Sequence, residues 1–155
     1  MEDDRLLVAR LSDASPVFRP GLWHLPGGGI DPGEQPVEAL GRELREETGL
    51  ELTTAQLLDA RTYAAQRHGV SWRLTALFYA VGLRSASPAV TEIGGSTDAA
   101  IWTPVADLRD SALSPPATDA LRLFVSGVRR GGAGHGDGLP HGIGLGSEPE
   151  AADFA

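Results

Sequence analysis

The residues best suited to chemistry lie between Arg42 and Leu50, in the run Arg-Glu-Leu-Arg-Glu-Glu-Thr-Gly-Leu. Glu43, Glu46 and Glu47 fall within five residues of one another. At about 100° per residue they share an arc of about 100° on a helix. Val37, Leu40 and Leu44 occupy the neighbouring arc, which predicts an apolar stripe facing inward with an acidic stripe beside it. Three like charges on one face destabilise a bare helix. One reading is a solvated surface, where Glu is a good helix former and Arg42 and Arg45 soften the repulsion. The other is a site for a hard cation. Mg²⁺ takes oxygen ligands and binds through a few carboxylates together with substrate phosphates.

The neighbouring sequence supplies the elements that would position these side chains. Asp31-Pro32-Gly33-Glu34 predicts a turn, and Pro36 suits the first turn of a helix spanning residues 35–48. Gly49 suits the left-handed position that ends it, with Leu50 folding back as an apolar contact. Upstream, Arg5–Leu11 reads as a buried strand, residues 12–20 as turns, and residues 21–25 as a short extended segment. Pro26-Gly27-Gly28-Gly29 reads as a loop, because glycine permits backbone angles barred to other residues. Downstream, residues 51–65 read as a strand with Leu57 and Leu58 inside, followed by a hairpin turn at residues 66–69. Val70–Leu83 is apolar at both alternating sets of positions, so both of its faces should be covered. Residues 85–98 form a long loop, residues 99–103 a last strand, and residues 104–110 a short helical turn. Ser114 is a candidate N-cap for a second helix opened by Pro115 and Pro116, with Leu121, Phe124, Val125 and Val128 as its apolar stripe. Strands and helices in this order predict an α/β fold, a mixed sheet with helices on its faces.

Composition narrows the function classes. A chain of 155 residues with 41% apolar content suits one globular domain. There is no cysteine, hence no disulfide framework, thiolate metal site or cysteine nucleophile. A net charge of −8 argues against nucleic-acid binding, which is driven by neutralising phosphates. A nucleotide substrate remains compatible, because a bound cation screens phosphate locally. No apolar run approaches the roughly 20 residues of a membrane span. The acidic start Met1-Glu2-Asp3-Asp4 is unlike a signal peptide, so the expected location is the cytoplasm, without a membrane partner. All thirteen basic residues are arginine, which with abundant Ala and Gly suggests a high-GC bacterial source. From Gly127 to the end there are nine glycines and few clustered apolar residues. The expectation is a domain over residues 1–130 and a disordered, Gly-rich tail over residues 131–155. His135 and His141 in that tail read as incidental rather than as metal ligands.

The stretch from Gly28 to Leu50 resembles the Nudix box, G-x5-E-x7-R-E-U-x-E-E-x-G-U, where U is a bulky aliphatic residue. Gly28, Glu34, Arg42, Glu43, Leu44, Glu46, Glu47, Gly49 and Leu50 match all nine specified positions. The preceding Gly21-Leu22-Trp23-His24-Leu25-Pro26-Gly27-Gly28-Gly29 is similar to the G-x-W-x-L-P-G-G-G lead of many members. The resemblance implies an α/β/α sandwich with a mixed β-sheet. It also implies hydrolysis of a pyrophosphate bond in a nucleoside diphosphate linked to another moiety, with Mg²⁺ or Mn²⁺ as cofactor. Glu46 and Glu47 would be metal ligands, with the Gly27 carbonyl alongside. Glu43 would be a third ligand or the carboxylate that receives a proton from water. Arg42 joins the catalytic set as a scaffold that orients the glutamates together with Glu34, and Gly28 and Gly49 support the site. A second carboxylate is often found on the loop before the last strand, where this chain offers Glu92 and Asp98. Trp23 reads as core packing before base stacking, and His24 and His68 as strand and turn residues before substrate contacts. The partner would be a small nucleotide-like diphosphate. Isomerisation of a prenyl diphosphate on the same fold needs a reactive cysteine, which this chain lacks. A non-catalytic nucleotide-sensing module is the other reading, although such modules tend to lose box glutamates. Members usually begin with a strand ahead of the one matching Arg5–Leu11, and four residues precede it here. The expectation is a missing first strand, with Arg5–Leu11 left with an open edge or completed by a partner chain in a homodimer.

Overall fold

The computed structural model describes residues 5–84, 87–90, 93–131 and 142–149. Two sheets and two helices make up the fold. One sheet is antiparallel, in the order β2 (Trp23–His24), β1 (Arg5–Leu11), β6 (Thr97–Pro104). The other is mixed, in the order β3 (Gly27–Gly29), β7 (Gly142–Pro149), β5 (Val70–Leu83), β4 (Leu52–Arg67). The helices are α1 (Pro36–Thr48) and α2 (Pro115–Gly131).

Strand β5 shows how one sequence serves two helices. Successive side chains of a strand point to opposite faces. Ala76 and Phe78 join Leu6 and Val8 of β1 and Ala117 and Ala120 of α2 in one buried cluster. Tyr79 and Val81 join Leu40 and Leu44 of α1 in another, with Leu77 and Leu83 against it. The sheet is thus sandwiched between α1 and α2, and the α/β/α arrangement with a mixed sheet stands.

The helix that carries the acidic cluster begins and ends where its sequence directs. Pro36 occupies the first turn, and the Gln35 N–H donates to the Glu38 carboxylate at 2.9 Å. Gly49 adopts φ 68°, and its N–H returns to the Arg45 carbonyl at 3.0 Å. Helix α2 is capped by Ser114, whose Oγ accepts from the Ala117 N–H at 3.3 Å. His68 at φ 51° and Gly69 at φ 76° close the β4–β5 hairpin, the left-handed pair that matches the twist of two antiparallel strands.

Several expectations are corrected. Gly27–Gly29 form strand β3 rather than a loop, because β7 pairs with them in parallel. The tail is not disordered throughout, since Gly142–Pro149 form β7. Main-chain hydrogen bonding needs no apolar side chains, so a criterion of core-forming residues overlooks such a strand. His135 and His141 lie outside the described residues, as does the rest of the tail after Gly131. Leu57 and Leu58 are not inside: they are 54% and 45% exposed. Strand β4 is the outer strand of its sheet, and its register slips between Leu57 and Asp59. Arg5–Leu11 is paired by β6 along one edge, whereas on its other edge β2 meets only Ala9 and Arg10, so among the described residues the expected strand-free edge is present over residues 5–8. Val37, placed on the inward stripe of α1, is 43% exposed. Among the described residues no helix is long and apolar enough to cross a membrane.

Candidate active site

One guanidinium organises the start of the site. The turn at Asp31 holds Glu34, with the Glu34 N–H donating to the Asp31 carbonyl and the Asp31 N–H donating to Glu34 Oε2 at 3.0 Å. Arg42, in the middle of α1, meets Glu34 as a fork: Nε donates to Oε1 at 2.9 Å and Nη2 to Oε2 at 3.0 Å. Nη2 also donates to the Gly29 carbonyl at 2.9 Å, which ties β3 to the helix. Nη1 donates to Glu43 Oε1 at 2.7 Å and to Glu46 Oε2 at 3.3 Å. Arg42 therefore links the turn, the glycine strand and two of the three clustered glutamates. Its hydrogen bonds hold the Glu34 carboxyl below the usual carboxylate range, with the Asp31 backbone assisting.

Glu47 lies in different surroundings. It is 3% exposed, although sequence periodicity places it on the acidic stripe. Its Oε2 accepts from the Gly27 N–H at 2.8 Å, and its Oε1 from the Thr97 hydroxyl at 2.7 Å and the Ser96 hydroxyl at 3.3 Å. Burial pushes this carboxyl up to about 7, against the opposing pull of those hydrogen bonds. Gly28 is needed for proximity: a Cβ there would fall on the Glu43 carboxylate.

Arg42, Glu43, Glu46, Glu47, Gly27, Gly28 and Glu34 are thus brought together, and Gly49 ends the helix that carries four of them. Asp98 is not among them. Its Oδ1 accepts from Arg10 Nε at 2.7 Å at the surface, and it follows Thr97, so strand alternation turns it away from Glu47. Glu92 lies outside the described residues. His68 sits in the hairpin turn. Trp23 packs against the core with Arg10 5.9 Å from its ring centroid. His24 is buried with its Nδ1 2.5 Å from the Ser114 hydroxyl, and burial lowers its pKa to about 4, so it is neutral at physiological pH.

Sequence reasoning missed Ser96 and Thr97, small hydroxyl donors whose role depends on the register of β6. It also missed a cavity of about 240 Å³ whose wall includes Glu43 and Glu47. Phe18, His24, Trp72 and Ala76 line its apolar side. The buried Trp72 Nε1 has no acceptor among the described residues. Phe18 and His24 stack at a tilt, with centroids 5.7 Å apart.

The carboxylates of Glu43, Glu46 and Glu47 offer oxygen donors, the chemistry that suits a hard divalent cation, and the Gly27 main chain reaches Glu47 through its N–H. Among the described residues no three acidic or imidazole groups converge at coordinating distance. Glu43 and Glu46 converge on Arg42 Nη1 instead. Glu47 is a buried carboxylate without an ion pair among the described residues, a state that a nearby cation would relieve. The donors fit such an ion by chemistry, with Glu43 and Glu46 already gathered to one point.

A family model described as NUDIX domain matches residues 1–124. A crystal structure of a MutT NUDIX hydrolase from Burkholderia pseudomallei is 30% identical, with a TM-score of 0.63, over 77% of this chain and 88% of that one. The solution structure of the Escherichia coli ORF135 protein shares the fold at 24% identity and a TM-score of 0.58, over 85% of this chain and 87% of that one. Among curated proteins, nucleoside triphosphatase NudI of Escherichia coli O1:K1 is 46% identical over 55 residues, 36% of this chain and 38% of its own length. The match therefore spans well under half the length of that relative. With the box complete, its arginine fork assembled and the family model matched over most of the chain, the protein belongs to the NUDIX domain family.

Proposed function

We propose that this protein is a Mg²⁺- or Mn²⁺-dependent hydrolase that cleaves a phosphoanhydride bond in a nucleoside di- or polyphosphate derivative. The observation that carries this reading is the contact of two chemistries in one place. An apolar cavity lined by Phe18, His24 and Trp72 opens onto Glu43 and Glu47, with Glu46 joined to Glu43 through Arg42. A flat apolar moiety such as a nucleobase suits the first part, and Trp72 Nε1–H, which has no acceptor among the described residues, would be a donor for it. A phosphate chain with its cation suits the second. The proteins named NudI are nucleoside triphosphatases, which makes nucleoside triphosphates the first substrates to test.

Glu46, Glu47 and the Gly27 carbonyl would hold the cation. When bound, it would neutralise phosphate charge and acidify water. The remaining chemistry belongs to the chain. Hydrolysis adds one water across the P–O–P bridge: a bond forms from the water oxygen to phosphorus, the bridging P–O bond breaks, and a water proton leaves. Glu43 would take that proton, since its carboxylate lines the cavity and Arg42 Nη1 fixes one of its oxygens. Arg42 would hold Glu43 and Glu46 in place, and Gly27, Ser96 and Thr97 would do the same for Glu47. Such positioning matters because phosphoryl transfer depends mainly on placement and charge neutralisation.

The test is a panel of nucleoside triphosphates, dinucleoside polyphosphates and nucleotide sugars, assayed with Mg²⁺, with Mn²⁺ and with chelator. Metal-dependent release of phosphate, pyrophosphate or nucleoside monophosphate is the expected result. Tight binding of a nucleotide without turnover under any metal would instead identify a sensing module.

A further inference from the structure

The site strand β3 is three residues long, stands at the edge of its sheet, and has β7 as its strand neighbour. Its other ties include the contacts of the site itself, from Gly27 to Glu47 and from Gly29 to Arg42. Strand β7 lies between β3 and β5. It pairs with Leu74 through Val81 on one side and with Gly27–Gly29 on the other. Remove β7, and among the described residues no strand pairing joins the glycine strand to the mixed sheet.

The sequence of β7 suits this position. Gly142, Gly144 and Gly146 oppose Val81, Tyr79 and Leu77 of β5. Directly opposed residues in an antiparallel pair share a face. Tyr79 and Val81 belong to the cluster under Leu40 and Leu44, with Leu77 packed against it, so that face is the one α1 covers. The three glycines therefore bring no side chains to the face beneath the helix, and the α1 and β7 backbones lie near each other. Gly146 also opposes Gly28, the residue whose missing Cβ makes room for Glu43. The same alternation that makes the segment look uncommitted in sequence gives a strand thin enough to lie under the catalytic helix.

We propose that β7 is a positioning element of the active site: by main-chain pairing it fixes Gly27–Gly29 to the sheet, and so sets where Gly27 docks Glu47 and Gly28 backs Glu43. The kinetic part of this proposal rests on the hydrolase reading, whereas its structural part does not.

The test uses the full chain, a variant lacking residues 132–155, and Gly146→Pro. The proline leaves the chain whole and removes a donor from the middle of an interior strand. Amide hydrogen exchange is compared at Gly27–Gly29 and Ala76–Val81 against the β1–β6 pair as internal reference. In Gly146→Pro these amides should exchange faster while the reference holds. The kcat should fall on the order of tenfold or more with KM changed less, as expected when a catalytic group is misplaced rather than removed. A synthetic peptide of residues 142–149 added to the shortened variant should restore protection at Ala76–Val81. If the shortened variant does not fold, Gly146→Pro alone decides. Exchange and kcat both unchanged in Gly146→Pro would overturn the proposal. Protection at β3 that disappears on dilution, as a dimer dissociates, would overturn it as an intrachain device. If no substrate is found, the exchange comparison alone decides whether β7 holds β3 to the sheet.

Discussion

Two buried ionisable residues, Glu47 and His24, have opposite consequences. Glu47 is a carboxylate kept out of water and held by three hydrogen bonds from neutral donors. Glu47→Gln keeps the shape and removes the buried charge. The expected outcome is a fall in kcat of about 10²-fold or more, with a melting temperature equal to or above that of the parent at mildly alkaline pH. Steady-state kinetics and calorimetry on the same sample check both halves. A Gln variant as active as the parent would remove Glu47 from the catalytic set. For His24 the prediction concerns pH. Its folded pKa, about 4, lies below the ordinary value of 6.5, so between those values the unfolded chain binds more protons. Its contribution is complete above pH 6.5 and is lost as the pH falls towards 4. Relative to His24→Asn, which can still meet the Ser114 hydroxyl, the parent should lose about 1.4 kcal/mol of stability between about pH 7.5 and pH 5.5. Glu47 acts in the opposite direction over much of this window, so the difference between parent and variant in urea titrations is the quantity to read.

At the scale of elements, the site is a junction of one helix, one glycine strand and one turn, joined by Arg42. Lysine would keep the charge but lose the planar fork that spans Glu34, Gly29, Glu43 and Glu46. Arg42→Lys should lower kcat more than it raises KM and destabilise the fold by about 1–3 kcal/mol, since several charge-assisted hydrogen bonds go with the fork. Chemical denaturation beside kinetics checks this, and equal effects on kcat and KM would count against a positioning role. Gly28→Ala tests the junction from the strand side. The added Cβ meets the end of a flexible glutamate, so Glu43 moves aside and the fold survives. Activity should drop about tenfold or more while the melting temperature changes by only a few degrees.

Across the whole molecule, the mixed sheet is enclosed by α1 and α2 on its faces but leaves β4 as its outer strand. That strand is sixteen residues long and presents Leu57 and Leu58 to solvent. A long outer strand with exposed leucines favours pairing with another chain. Leu58→Lys should reduce self-association at high concentration and leave kcat unchanged, as read by sedimentation velocity and assay. Equal association of parent and variant would locate any dimer elsewhere.

Much of this protein was legible in the amino-acid sequence because the relevant physics is local. The start and stop of α1 follow from Pro36 and Gly49, whose backbone preferences do not depend on distant residues. The hairpin at His68–Gly69 and the cap at Ser114 are short-range in the same way. Helical spacing was enough to gather Glu43, Glu46 and Glu47, since one helix carries them all, and the resemblance to the Nudix box added Arg42 and the roles of the set. Only the tertiary structure decided the rest. Helical periodicity cannot show that Glu47 is buried, because Thr97 at the start of β6 and Ser96 just before it reach Glu47 from about fifty residues away. Asp98 and Thr97 are neighbours in sequence, and the pleat of β6 gives one to the surface and the other to the site. The glycines of β7 were invisible as structure because their contribution is main-chain pairing, which carries no residue signature until β3 and β5 stand on either side.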